Sequence, residues 1–467
     1  YFSHITTRER TVAFLVKATY AYKNLYIVSF ASRYDGSNRQ GEASDNRWIP
    51  TWTASGKWNA LEEPFLKSWQ GHVLSGLQLR YSYGLTANTG PATNSYAVFN
   101  NTVTVNRLRP QDRESALNID ALRNRELTWE KQYASNLGID LAFLDNDLTL
   151  STELYLNKAF DLIDYIQVSG IGGELEKSAN NADMRTKGLE ISLSGNAIRK
   201  QDFSWTTNVN FSVYDQKITR INSRPWAFDL VKATGGNVLG YPRNSLFSFD
   251  FQGLDNRGLP QFSIIENGVR KTVIQGIDMQ NQDQLLDYLI YEGPVDPNLT
   301  VGLSNTFRYK NWSFSFFLYG SDGNVMRLRS MFADRYAEGF VPTQDFVNRW
   351  LLPGGEGITN IPVVPDMRLI NEMTDLQRAY NGYNNSTVRV ASGSYIRVRN
   401  VALSYNLPAS LLKKLTLQSL SVRLAATNPL LLYSDKKLRG MDPEFFDTGG
   451  VAMPIPKQYI LSLSVGF

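Results

Sequence analysis

The chain closes on residues 457–467, "KQYILSLSVGF". Every second residue from Tyr459 is apolar: Tyr459, Leu461, Leu463, Val465 and Phe467. Ser462, Ser464 and Gly466 fall between the last four. A period of two is a β-strand with one apolar and one polar face. In a water-soluble sandwich the apolar face would turn into a core. In a membrane barrel it would meet lipid, and the polar face would line a lumen. This strand leaves both open, and the rest of the chain has to choose.

The alternation recurs along the chain. In "LTLSTELYLN" (148–157), Leu148, Leu150, Thr152, Leu154 and Leu156 oppose Thr149, Ser151, Glu153, Tyr155 and Asn157. "LQLRYSYGL" (77–85), "WTTNVNFSV" (205–213), "WSFSFFL" (312–318) and "SLSVRLAAT" (419–427) repeat it. Thirteen strands are predicted, at 11–22, 25–35, 48–59, 75–86, 128–144, 147–158, 185–196, 203–216, 298–310, 312–320, 394–406, 419–430 and 458–467. Most are long enough to cross a bilayer core when tilted, which takes about 10 residues. In "SYIRVRNVALSY" (394–405) the apolar phase slips between Val398 and Val401, which predicts a β-bulge near Asn400.

Connections between the strands mostly alternate in length. Those at 22–24, 144–147, 195–202 and 309–312 are short; those at 87–127, 159–184, 217–297, 321–393 and 431–457 are long and without clear structure in the sequence. Outer-membrane barrels pair short periplasmic turns with long extracellular loops. Aromatic residues sit near strand ends, at Tyr20, Tyr22, Trp205, Tyr309, Trp312 and Tyr405, where an interfacial girdle is expected. The polar faces favour Ser, Thr, Asn, Gln and Gly. The fold class expected is therefore all-β, an antiparallel transmembrane β-barrel. If Leu463 faces mid-bilayer lipid, Leu463→Arg should cost about 2–4 kcal/mol, while Ser464→Arg on the lumen face should cost little.

Composition narrows the alternatives. Among 467 residues there is no cysteine and there are only two histidines, His4 and His72, so thiolate chemistry is excluded and a His-based metal centre or triad is poorly supported. Net charge is +4 with no long basic run, which leaves no footprint for nucleic acid. Mean hydropathy is −0.29 and no apolar run is long enough for a transmembrane helix. The chain starts without Met and without a signal-peptide pattern, as expected of a piece of a longer gene product.

Longer stretches resemble a family. "LQLRYSYGLTANTG" (77–90), "LTWEKQYASNLGIDLAFLDNDLTLSTELY" (127–155), "TKGLEISLSGNAI" (186–198), "LTVGLSNTFRYKNWSFSFFL" (299–318) and "SGSYIRVRNVALSYNLP" (392–408) are similar, in order, to the barrel of SusC/RagA-type TonB-dependent transporters. "RYDGSNRQG" (33–41) belongs to the same series, with Gln40 where the family usually has an aromatic. The resemblance implies a barrel of about 22 strands. It also implies an N-terminal plug, a TonB box, a SusD-like surface lipoprotein as a lid, a bacterial outer membrane of Bacteroidetes type, and TonB-driven import of glycans or peptides. Nothing in the chain resembles the plug, the TonB box or a signal peptide, so residues 1–467 are expected to be the C-terminal part of such a barrel. Its partners would be the rest of the same transporter, the lid, TonB through the missing plug, the substrate and the bilayer. A passive outer-membrane porin is the second reading, and a soluble carbohydrate-binding β-protein the third.

Enzyme chemistry finds little support, and neither cofactor, metal nor catalytic residue is expected. Glu62 and Glu63 in "LEEPFLKSW" (61–69) are adjacent and read as a solvated turn. "GSDGN" (320–324) and "FLDNDL" (143–148) are turns, and "GGNVLG" (235–240) and "GIGGE" (170–174) lack the strand-and-helix context of a phosphate cradle. Substrate contact is expected from aromatic and charged loop residues: Trp226, Phe228, Arg335, Tyr336, Tyr380 and Tyr383. For each of them, packing within the loops is the competing role.

Overall fold

The computed structural model describes residues 9–40, 44–71, 73–90, 98–104, 114–121, 124, 126–169, 176–266, 269–273, 285–332, 343–373, 376–445 and 456–467. Strands β1 (Thr11–Tyr22), β2 (Tyr26–Ser37), β3 (Trp48–Asn59) and β4 (Leu74–Asn88) come first, followed by a hairpin of β5 (Val98–Thr104) and β6 (Glu114–Ala121). Next are β7 (Glu130–Phe143), β8 (Leu148–Gln167), β9 (Glu176–Arg199) and β10 (Phe203–Ile221). The connection after β10 holds β11 (Ser245–Leu254), β12 (Pro260–Glu266), β13 (Val269–Val273) and β14 (Leu289–Pro294). β15 (Leu299–Tyr309), β16 (Trp312–Asp322), β17 (Val325–Arg327) and β18 (Val390–Ser392) precede β19 (Tyr395–Asn406), β20 (Ser419–Ser434) and β21 (Gln458–Gly466).

Thirteen strands form one sheet in the order β1-β2-β3-β4-β7-β8-β9-β10-β15-β16-β19-β20-β21. They are the thirteen that the alternation predicts. The ladders from β1 to β8 and from β10 to β21 are antiparallel throughout. The order ends at β1 and β21, which do not pair with each other among the described residues. No helix among those residues is long and apolar enough to cross a membrane.

Short turns are made by residues that accept a left-handed backbone. Lys23 and Asn24 have φ of 52° and 57°, the positive values of the two central residues of a primed turn, which Leu25 N closes by donating to Tyr22 O at 2.9 Å. The bulge expected near Asn400 is present one residue earlier: Phe317 pairs with Asn400 and Leu318 with Val398, so Arg399 is the extra residue. It keeps Val398 and Val401 on one face while leaving Arg397 and Asn400 on the other.

The sequence underestimates three strands. β8, β9 and β10 run to Gln167, back to Glu176 and on to Ile221. Alternation is lost in β8 through "AFDLIDYIQ", where Asp161 takes φ 58°, and in β9 through the polar "EKSANNAD", but the strands continue, bridged by asparagine side chains. Asn180 Nδ2 donates to Thr128 O (2.9 Å) and Asp161 O (2.6 Å), and Asn181 Nδ2 donates to Ser223 Oγ (2.8 Å).

Contacts divide the chain into two compact units, Tyr1–Ile191 with Tyr214–Ser223, and Ser192–Val213 with Arg224–Phe467. The second contains a core built from long connections that the sequence reading leaves without structure. A four-stranded sheet, β13-β12-β11-β14, packs Phe247, Phe249 and Phe262 against Leu230, Val231, Met331, Phe332, Tyr380 and Tyr383. Residues 245–249 of β11 are buried on both faces, serines included. A strand covered on both sides carries no period-two signal, which is why it escapes the sequence reading.

Arg327 ties this core together. Its guanidinium donates to Val231 O (3.2 Å), Ser248 Oγ (3.1 Å), Ser386 O (2.9 Å) and Phe247 O (2.6 Å). Burial lowers its pKa to about 10, against the opposing pull of Glu292 and with a smaller push from Arg389. Gly258 closes the β11–β12 turn at φ +77°, and a Cβ there would lie 2.4 Å from the Trp350 indole. Gly258→Ala should therefore cost about 1–3 kcal/mol through backbone strain and displacement of Trp350. Earlier proteolysis of the 343–373 segment in the variant would register it.

Candidate functional site

The pairing registers of β1 to β8 and of β10 to β21 sort those strands into two faces. On one face, Tyr20, Val28, Gly56, Tyr81, Leu137 and Leu154 lie side by side across β1, β2, β3, β4, β7 and β8. Ala18, Phe30, Ala54, Tyr83, Ser135 and Leu156 form the next row. In the second unit Trp205, Phe307, Phe314, Leu403, Leu424 and Leu461 form one continuous apolar row from β10 to β21.

Exposure runs opposite to that of a water-soluble protein. On β2, Tyr26, Val28 and Phe30 are 45%, 58% and 48% exposed, while Ile27, Ser29 and Ala31 on the other face are half-buried. Leu154 and Leu156 of β8 are exposed and Tyr155 and Asn157, which alternate with them, are not. Tyr459, Leu461, Leu463, Val465 and Phe467 at the chain end are all exposed.

Aromatic residues edge this face. Tyr22, Tyr26 and Trp58 align at the short-turn end of β1–β3. Tyr309, Trp312 and Tyr405 align at the same end of β15, β16 and β19, with the Trp312 and Tyr405 rings 4.5 Å apart. At the other end Tyr34 stacks on Trp48 at 5.1 Å, and Trp52, Tyr83, Tyr133 and Phe160 form a run of ring contacts. Trp48 and Trp58 stand ten residues apart on β3. That spacing is about 33 Å along the strand and about 25 Å after a tilt of about 40°, the height of a lipid-matched band.

Leu463 pairs with Val422, which pairs with Tyr405, which pairs with Trp312. Leu463 thus shares the apolar face with those aromatics; because barrel strands tilt, a ladder row fixes the face of a residue and not its depth. Phe30, midway between Tyr26 and Tyr34, is a mid-band position.

The opposite face is polar and internally bonded. Thr19, Ser29, Ser55, Ser82, Asn136 and Tyr155 form one row, and Ala21, Ile27, Lys57, Arg80, Gly138 and Glu153 the next. Thr19 and Ser29 share a 3.0 Å hydrogen bond, and Asn136 Nδ2 donates to Ser82 Oγ at 3.3 Å. Arg80 Nε and Nη2 donate to both oxygens of Asp140 at 2.6 and 3.1 Å, and Ser151 Oγ donates to the same carboxylate at 2.6 Å. Toward the long connections Arg220 holds Asp183 through two bonds (2.7 and 2.8 Å), while Lys131 reaches Asp161 at 3.0 Å. Such a surface offers donors and acceptors to a hydrated solute and few apolar side chains.

A second cluster escapes sequence reasoning. Arg397 and the bulged Arg399 meet Asp442 and Glu444 from the connection after β20, the Arg399–Glu444 bond being 2.7 Å. Tyr395 and Tyr319 stack against the two guanidinium groups at 5.5 and 5.2 Å. The only sequence signal is two arginines at i and i+2 in a strand, and their acidic partners lie more than forty residues away.

The residues expected to touch substrate separate. Trp226 caps a short helix (Ala227–Val231), and Phe228 on that helix is 58% exposed. Tyr380 and Tyr383, on the helix Leu376–Asn384, are core residues packed on Phe332; burial raises the Tyr383 pKa to about 12. Arg335 and Tyr336 lie outside the described residues, as do His4, His72 and residues 170–174. Gln40 is fully buried, its Nε2 donating to Thr89 O at 3.2 Å. Glu63, expected in a solvated turn, is instead buried and accepts from the Tyr26 hydroxyl and from Trp58 Nε1 (3.3 Å).

Comparison with known proteins follows this geometry. A family model described as TonB dependent receptor-like, beta-barrel matches residues 2–428. TonB-dependent receptor P3 of Formosa agariphila is 27% identical over 443 residues, covering 92% of this chain and 41% of the relative. TonB-dependent receptor SusC of Bacteroides thetaiotaomicron is 26% identical over 491 residues, covering 99% of this chain and 44% of the relative. Among solved structures, the RagAB peptide transporter superposes with a TM-score of 0.74 at 23% identity, covering 98% of this chain and 48% of that one. The chain spans less than half the length of the curated relatives it matches.

Proposed function

The chain belongs to the TonB-dependent receptor β-barrel family, and from that premise we propose that it forms the C-terminal part of an outer-membrane nutrient importer of the SusC/RagA type. The inverted exposure carries this reading: Tyr26, Val28 and Phe30 face out while their polar neighbours are sheltered. Large apolar side chains in repeated exposed rows have no stable place in water and a natural one in lipid. The polar face, with its Ser, Thr, Asn and paired charges, lines the transport path. The long connections stand on the outer surface, where a SusD-like lipoprotein covers them as a lid. The plug and the TonB box belong to the remainder of the transporter, and TonB supplies the energy through them.

The cargo in this reading is an oligosaccharide or an oligopeptide. Trp226 and Phe228 contact it, joined by Arg335 and Tyr336 from the next long connection, while Tyr380 and Tyr383 support the surface from below. Uptake of labelled oligosaccharides and oligopeptides by cells carrying the full-length transporter tests the proposal. Uptake should stop when TonB is deleted. Uptake that persists would mark a passive channel instead. Replacing Trp226 with alanine should weaken binding of the transported ligand about three- to ten-fold, the loss of one stacked aromatic contact.

A further inference from the structure

The connections at the short-turn end of the sheet take few residues, except where function or packing asks for more. That between β3 and β4 runs from Ala60 to Val73 and folds into two turns of 3-10 helix, Ala60–Glu62 and Lys67–Trp69. Its first half is fixed. Ala60 and Leu61 are buried, and the carboxylate of Glu63 accepts from the Tyr26 hydroxyl and the Trp58 indole. The backbone of Asn59 donates to Leu25 O at 2.9 Å, which ties the connection to the neighbouring hairpin.

The second half is the opposite. Phe65, Trp69 and Val73 are 69%, 64% and 72% exposed, with Lys67 exposed between them. Hydrogen bonds from Leu66 N and Lys67 N to Glu63 O, at 3.0 and 2.9 Å, hold this half to the fixed one. Tyr26 and Trp58, which clasp Glu63 by their polar tips, belong to the aromatic edge of the apolar face. The exposed half is therefore tethered, through Glu63, to the aromatic edge of that face. Amphipathic rings with a nearby lysine are the composition that settles at a membrane–water boundary, rings among the glycerol groups and the amine on phosphate.

We propose that the Ala60–Val73 connection is a lipid-docking element, which seats Phe65, Trp69 and Val73 at the headgroup boundary of the adjacent leaflet and presents Lys67 to phospholipid phosphates. Its rigid attachment through Glu63 makes the contact an anchor that fixes how deep this part of the sheet sits. The inference rests on the reading of the apolar face as lipid-facing, and its test separates the two.

The chain contains no cysteine, so single labels are specific once any cysteines elsewhere in the transporter are replaced by serine. Full-length Phe65→Cys, Trp69→Cys and Phe30→Cys variants are labelled with an environment-sensitive fluorophore and placed in phosphatidylglycerol–phosphatidylethanolamine nanodiscs containing spin-labelled lipid. Labels at 65 and 69 should lose more emission to a spin label near the headgroup than to one at the chain end, and the label at 30 should show the reverse order. Lys67→Gln should reduce the loss at 69 in anionic discs. Quenching at 30 without quenching at 65 and 69 overturns the docking element and leaves the lipid-facing sheet standing. A blue-shifted but unquenched label at 69 also overturns it, since protein and not lipid then covers the site. Absence of quenching at all three positions overturns the lipid-facing reading itself.

Discussion

Phe30→Arg should destabilise the membrane-embedded protein by about 2–4 kcal/mol, whereas Ser29→Arg, one residue away, should cost little. The two side chains share a strand, a ladder and nearly the same depth, and differ only in face. Phe30 sits between Ala18 and Ala54 in the apolar row that continues to Tyr83 and Leu156. Ser29 lies in the hydroxyl- and amide-bearing row with Thr19, Ser55 and Ser82. An arginine at position 30 must desolvate its charge or drag water and headgroups toward the band centre. At position 29 it joins a wetted face that already carries Lys57 and Arg80. Refolding of the full-length transporter into vesicles across a urea series measures both. If Ser29→Arg proves the costlier change, the faces have been assigned the wrong way round.

Arg327→Met should destabilise the core formed by the long connections by about 3–5 kcal/mol, by orphaning buried acceptors. Four groups lose their donor at once: the carbonyls of Val231, Phe247 and Ser386 and the hydroxyl of Ser248. Charge-assisted bonds are worth about 1.5–3 kcal/mol each, which outweighs the relief from removing a buried cation. That relief is real, because burial already lowers the Arg327 pKa to about 10. Methionine fills much of the volume, so the loss reports hydrogen bonding more than cavity formation. Hydrogen exchange should quicken in β11 and in the helix Leu376–Asn384, while β1–β4 keep their protection. Unchanged exchange in β11 would mean that the aromatic cluster of Phe247, Phe249 and Phe262 holds the core without the arginine.

Legibility in the sequence followed the solvent on each side of a strand. Where one face meets an apolar medium and the other a polar one, side chains must alternate. For that reason 48–59 is read to the residue and all thirteen long strands appear in order. The phase slip at "YIRVRN" betrays the bulge for the same reason: Val398 and Val401 must both reach the apolar face. Where the two environments are alike, the pattern fades. β9 continues through "EKSANNAD", polar on both sides, and β11 through "SLFSF", buried on both sides.

The candidate site was less legible. Aromatic residues in loops look alike in sequence whether they meet ligand or one another. Tyr383 is only 2% exposed and packs on Phe251 and Phe332, while Phe228 stands open, and no local signal separates them. Partners far apart in the chain, such as Arg399 with Glu444 or Arg327 with Phe247 O, exist only once the connections fold back on themselves. Local composition by itself determined the antiparallel all-β class, the two faces of each strand and the turns that reverse it, because these depend on neighbours one or two residues away. Tertiary structure alone decided the register between strands, the core within the long connections and the burial of Glu63, because these depend on which distant segments are brought alongside.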